Sequence, residues 1–424
     1  TRPEVGTGDV TTGWLDRVTA EPPSERPHAA IAVLAAVVQL TRQQERLDEA
    51  TFFTSAARGR PQARDHVGNR VEFRTGGNAY VADVARVGRH RFQVRVGGVS
   101  VRVVDEPIGP YLSRVTVGDV TARVVTFIDG ADTLVEVDGV AHRISRDEGG
   151  LVRSPAPGLV VAVGVGPGDE VAAGATVAVI EAMKMETAVA TPVAGTVREV
   201  LVTANVQVPA GAPLVRIDAA AVDETVATGR LIDFAAVVGD ASPDAPSPIE
   251  ELRGVLLGYE YGPAETADVL ERYRSLPLPA DVDAELGLVT LFADLCALSR
   301  NRRIAGDEQD ESARNEREHL LTYLGSLDVA RERVPASFEA KLRRALSHYG
   351  VEELERTPEL TAALHRLYLA LERAPSMVPA VEAVLERVAT LAPTDAVRAA
   401  LDHLTVATQV RFPSIGELAR TTRF

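Results

Sequence analysis

One stretch of this chain repeats itself at an offset of 37 residues, and that repeat restricts the fold more than any other feature. Ala156-Pro157-Gly158-Leu159-Val160 aligns with Val193-Ala194-Gly195-Thr196-Val197, and the same offset carries Val171 onto Val208, Gly174 onto Gly211 and Ile180 onto Ile217. Gly168 falls on Asn205, and glycine and asparagine are the residues that best tolerate positive φ. Residues 156–219 therefore read as two similar half-domains. Two interleaved halves of short strands predict a flattened antiparallel barrel with quasi-twofold symmetry.

The halves are joined by Glu181-Ala182-Met183-Lys184-Met185-Glu186-Thr187. Its flanks, Thr176–Ile180 and Ala188–Thr191, alternate as β-strands do, which places Lys184 at a hairpin tip. The chain holds two lysines, Lys184 and Lys341, against 43 arginines. A lysine at a tip, in a chain that uses arginine nearly everywhere else, points to chemistry arginine lacks. A primary amine forms an amide, whereas a guanidinium does not give up its proton in proteins. The plain alternative is a hairpin with a solubilising edge lysine.

These residues resemble a biotin carboxyl carrier domain, whose attachment motif is Ala-Met-Lys-Met at such a turn, with Pro-x-x-Gly (Pro155–Gly158 here) opening the first half. The resemblance implies biotin amide-linked to Lys184, with Glu181, Ala182, Met183, Met185 and Glu186 serving recognition by a biotin protein ligase and docking. Lipoyl domains share the barrel, but usually place an acidic residue before the lysine and lack the paired methionines.

Around this domain the periodicity changes twice. Ala29–Glu49 reads as a helix, apolar nearly all round in its first three turns, and such a helix must be enclosed. From Val67 to Arg146 the period is two, with hairpin signals at Gly97-Gly98 and Asp138-Gly139. That predicts an antiparallel barrel of six to eight strands around the helix. Asp240–Pro248 is a proline-rich linker. Beyond it, apolar residues recur at helical spacing to Val410, with capping signals at Ser247-Pro248-Ile249-Glu250, Gly262-Pro263-Ala264-Glu265 and Thr357-Pro358-Glu359. Seven to nine helices are expected, with Arg300–Glu318 as a solvated charged run. The expected class is multidomain α+β: an antiparallel β-barrel around a helix, a flattened β-barrel biotinyl domain, then an all-α region.

Charge and composition exclude several functions. A net charge of −15 with no basic stripe argues against nucleic acid. The longest apolar run, Ala29–Leu40, is too short to span a bilayer. A single cysteine, Cys296, excludes a disulfide framework and fits a reducing, cytoplasmic setting. No phosphate loop with a lysine is present, the eight histidines are scattered without ligand spacing, and neither a catalytic set nor a metal site is expected.

The order of segments resembles the central part of single-chain, biotin-dependent acyl-CoA carboxylases, actinobacterial long-chain ones best. The resemblance divides the chain into 1–60 (end of a biotin carboxylase domain, around Trp14, plus the central helix), 61–147 (barrel), 150–218 (biotinyl domain), 219–249 (linker) and 250–424 (helical scaffold). It implies a segment of a longer polypeptide in fatty acid metabolism, with biotin carboxylase and carboxyltransferase partners, acyl-CoA reached through the transferase, and a homo-oligomer. ATP, Mg and bicarbonate would be used by domains outside this chain. Two other readings stay open: a non-enzymatic scaffold retaining a biotinyl domain, and the carrier of a pyruvate carboxylase or decarboxylase.

Overall fold

The computed structural model describes residues 27–63, 67–129, 132–146, 150–182, 185–191, 193–209, 211–219, 231–238, 246–278, 282–300 and 315–422. The expected end of a biotin carboxylase domain at 1–26, with Trp14, lies outside them. The chain divides into two compact units: residues 1–39, 70–83 and 94–239, and residues 40–69, 84–93 and 240–424.

In the first unit lies the start of helix α1 (Ala29–Ala56), seven residues longer than expected. Ala50-Thr51-Phe52-Phe53 offers no glycine or proline to stop it, and in the second unit Phe52 and Ala56 join a helical core. Every residue from Ala30 to Val38 is at most 7% exposed, as an all-apolar helix requires. Gln39 donates to the buried Asp105 carboxylate at 3.0 Å.

Eight antiparallel strands, the upper end of the expected range, form a closed barrel: β1 (Asn69–Thr75), β2 (Asn78–Arg86), β3 (Arg91–Val96), β4 (Val99–Pro107), β5 (Leu112–Val117), β6 (Val120–Asp129), β7 (Asp132–Val137) and β8 (Val140–Arg146). Pairing of Phe73 with Arg146 and of Arg74 with Ser145 closes it, leaving no free edge. Gly97 and Gly98 have φ of 59° and 78°, and Asp138 and Gly139 have 47° and 86°. Positive φ at both central residues matches the right-handed strand twist, so these tight turns hold the register.

Residues 150–219 realise the repeat strand by strand. Its strands are β9 (Leu151–Arg153), β10 (Gly158–Val163), β11 (Glu170–Val171), β12 (Thr176–Ala182), β13 (Met185–Ala190), β14 (Gly195–Val200), β15 (Gln207–Val208) and β16 (Pro213–Ala219). Each of β10, β11 and β12 recurs 37 residues later as β14, β15 and β16. The same offset carries β9 onto β13, so the sheets β13-β12-β10-β15 and β11-β14-β16-β9 each combine two strands from either half. Even the bulges correspond, at Val160/Ala162 and Val197/Glu199. Gly168 (φ 92°) donates to Val197 and Asn205 (φ 66°) to Val160, both at 2.7 Å. A shared valine-rich core, including Val160, Ile180, Val197 and Ile217, lies between the sheets.

Residues 231–238, inside the expected linker, include a packed anchor. Phe234 is 3% exposed and meets Tyr80 edge-on at 5.9 Å. Tyr80 stacks on Phe73 and accepts the Ile232 N–H at its hydroxyl, 3.0 Å away. Residues 220–230 and 239–245 lie outside the described set.

The second unit is largely helical. After α1 come α2 (Pro248–Leu256), α3 (Pro263–Arg274), α4 (Val282–Leu298), α5 (Glu316–Ser326), α6 (Val329–Glu332), α7 (Ala336–Ser347), α8 (Pro358–Arg373), α9 (Val378–Val388), α10 (Asp395–Thr408) and α11 (Pro413–Thr422). Ten described helices exceed the seven to nine expected, because α6 is a single turn and α11 lies wholly beyond Val410. The expected caps form: Ser247 and Glu250 exchange bonds, the Glu265 carboxylate accepts the Gly262 N–H, and Thr357 accepts from the Leu360 N–H. Leu288, Phe292, Leu342, Leu346, Leu364, Leu367, Leu385 and Leu401 meet in one core.

The reading of Arg300–Glu318 as wholly solvated needs correction at its described ends. Arg300 is buried and pairs with Glu316 at 3.1 Å, and Lys341 reaches the same carboxylate at 2.7 Å. A charge run in sequence shows nothing of a cross-chain partner, and Lys341 is that partner. Residues 301–314 lie outside the described set. Among the described residues no helix is long and apolar enough to cross a membrane.

Candidate functional site

The site is built by the β12–β13 hairpin. Its register runs Ile180↔Thr187, Glu181↔Glu186, Ala182↔Met185, the last described pairs on either side of Met183 and Lys184 in the sequence. Those two lie outside the described residues. The twofold-equivalent strands in the other half are β16 and β9, which pair with one another at the two ends of the segment.

Backbone packing beside the tip depends on Gly158. A Cβ there would sit 2.5 Å from the Glu181 carbonyl oxygen and 2.6 Å from Ile180 Cγ2, closer than real side chains come. Leu159, next along β10, pairs with Glu181. Gly158→Val should therefore open the carrier segment, and limited proteolysis should cut within 150–219 sooner than in the parent chain. Unchanged cleavage would show that β10 can yield.

Sequence reasoning missed two side chains that tie the halves down. Ser154 and Thr191, 37 residues apart and both buried, donate from their hydroxyls to Ala156 and Val193 at 2.6 and 2.7 Å. Extending the repeat two residues upstream would have found them.

Around the tip the expected residues fall in a pattern. Met185 is 71% exposed, an unbranched apolar side chain offered to solvent. Glu181 and Glu186 face each other across the hairpin, and like charges in opposed positions cost stability. The second lysine differs in kind: Lys341 is held in its ion pair with Glu316. Cys296 is buried, and burial pushes its thiol up to about 12, which leaves it inert at neutral pH. Among the described residues no group of three His, Cys, Asp or Glu is placed to hold a metal ion.

The two four-stranded sheets and the β12–β13 hairpin give residues 150–219 a flattened twofold barrel. Residues 150–217 match the family described as "Biotin-requiring enzyme". The chain is also 53% identical, over 45 residues, to the mitochondrial propionyl-CoA carboxylase alpha chains of Homo sapiens and of Rattus norvegicus. In each case the match covers 11% of this chain and 6% of the relative. Residues 150–217 thus resemble the corresponding domain of biotin-requiring enzymes.

Proposed function

We propose that this chain is the carrier and scaffold segment of an ATP-dependent acyl-CoA carboxylase, with biotin amide-linked to Lys184. The observation that supports the reading is the hairpin register, whose last described pair, Ala182↔Met185, flanks Met183-Lys184 in the sequence. The surroundings fit the group: an exposed thioether and a pair of carboxylates, with the other lysine engaged elsewhere. When attached, biotin supplies a ureido nitrogen that takes up and releases CO2.

The chain's own residues perform other tasks. The Lys184 amine would supply the amide nitrogen, giving up its charge. Met183 and Met185 would offer adaptable apolar surface to the biotin protein ligase and to successive active sites. The opposed Glu181 and Glu186, costly to the fold, support a recognition role for this face, with Ala182 leaving the approach open. Tethering would raise the local concentration of the group at the biotin carboxylase and carboxyltransferase sites that partner domains provide. Residues 250–424 would act as a spacer and docking platform between those sites. A long-chain acyl-CoA, cytoplasmic placement and a homo-oligomer belong to this same reading.

Co-expressed with a biotin protein ligase, the chain should take up one biotin per polypeptide, read by intact mass. Purified alone, it should show no bicarbonate-dependent ATP hydrolysis, because ATP and acyl-CoA chemistry are assigned to partner domains. Hydrolysis above background would overturn that division of labour, and absence of biotin would overturn the carrier reading.

A further inference from the structure

The second unit contains a cavity of about 1280 Å³ that the carrier reading does not use. Its walls come from the second half of α1, the β2–β3 turn, Tyr259-Glu260 and the start of α8. Its floor is a neutral network of four charges. Glu45 accepts from Arg86 Nη1 at 2.9 Å and from Arg366 Nη2 at 3.1 Å. Glu260 takes the Arg86 backbone N–H at 3.0 Å and lies 3.7 Å from Arg366 Nη1. Burial pushes the Glu45 carboxyl up, and the two guanidiniums more than offset it, so it stays below the ordinary carboxylate range.

What remains around the cavity is unbalanced. Eight arginines line it against five carboxylates, although the whole chain carries −15. Setting the floor aside leaves six arginines and three carboxylates, and burial draws one of these, Glu49, toward its neutral form. Arg58, Arg89 and Arg356 are exposed and pair with no carboxylate among the described residues. The first turn of α8, the positive end of a 16-residue helix, shares the wall with them. Phe53, Tyr259, Tyr349 and Leu369 add an aromatic and aliphatic side. The volume exceeds that of most small-molecule sites, commonly about 300–1,000 Å³.

We propose that this cavity binds an adenosine phosphate, its phosphates taken by the unpaired arginines and its planar base by the aromatic wall. Arginine suits phosphate because its fork of N–H donors makes two parallel bonds at once. Two sources share that chemistry: a nucleoside triphosphate, and the phosphoadenosine end of coenzyme A.

Calorimetric titration of the full 424-residue chain with ATP, with coenzyme A and with inorganic pyrophosphate tests this. Saturable binding of ATP or of coenzyme A is expected, and whichever binds more tightly identifies the source. Arg89→Ala/Arg356→Ala should weaken it at least about tenfold, the loss expected for charge-assisted hydrogen bonds. Arg123→Ala, an exposed barrel position, should leave it unchanged, as should Lys184→Arg, which separates this outcome from the fate of the carrier reading. No heat with either adenosine ligand, or equal weakening by Arg123→Ala, would overturn the site. Pyrophosphate binding as tightly as both would overturn recognition of the base.

Discussion

Lys184→Arg will leave the chain without biotin. Arginine preserves the positive charge and nearly the length of the side chain, so the hairpin has no reason to change, yet its guanidinium cannot serve as the acyl acceptor. The strands that present the tip are held by six register pairs and by a buried core that includes Val177, Ile180 and Val189. A surface change of this kind shifts stability by no more than about 0.5 kcal/mol. Lys341 offers no substitute, since its ammonium group is bound to Glu316 and its side chain is 22% exposed. Streptavidin blotting of the variant, co-expressed with a ligase, should fall to background. Intact mass should equal that of the unmodified polypeptide. Biotin persisting on the variant would mean that the acceptor is elsewhere.

Arg387→Ala is expected to be the most damaging single change in the helical unit. Glu285 on α4 is fully buried, and Arg387 on α9 reaches its carboxylate through Nε at 2.6 Å. The same guanidinium donates to the Leu276 and Pro277 carbonyls at 2.9 and 3.3 Å and lies over the Tyr273 ring at 5.1 Å. Removing it strands a carboxylate without water or a counter-charge, which costs about 3–5 kcal/mol. For a unit of this size that lowers the melting temperature by roughly 10 °C, at 2–4 °C per kcal/mol. The double change Glu285→Leu/Arg387→Met should recover most of the loss, because a buried pair replaced by apolar side chains is often close to neutral. Scanning calorimetry of the three chains decides it. A single variant within about 1 kcal/mol of the parent would show that water reaches Glu285, in conflict with its burial.

Much of the carrier was legible from spacing alone. A repeat at 37 residues requires two similar packings of the same side-chain pattern, and the paired glycine and asparagine at 168 and 205 mark its turns. The barrel was legible too, because glycine pairs and Asp-Gly impose positive φ and alternation sets which face is buried. The helices showed in their apolar stripes and caps. Lys184 stood out by rarity, an argument about chemistry that needs no coordinates.

The charge pairs were not legible. Glu45, Arg86, Glu260 and Arg366 are spread over some 320 positions, and nothing local distinguishes them from the solvated charges beside them. The same holds for Glu285 with Arg387 and for Arg300 with Glu316 and Lys341. Phe234 looked like one apolar residue in a linker until Tyr80 was found against it. Local patterning determined which segments are strands, which are helices and which lysine is the candidate acceptor, because these depend on period and turn chemistry over a few residues. Tertiary structure alone decided which charges are paired and which are left over to line a cavity. A charge is stabilised by whatever opposite charge the fold brings within about 4 Å, and sequence distance sets no limit on that choice.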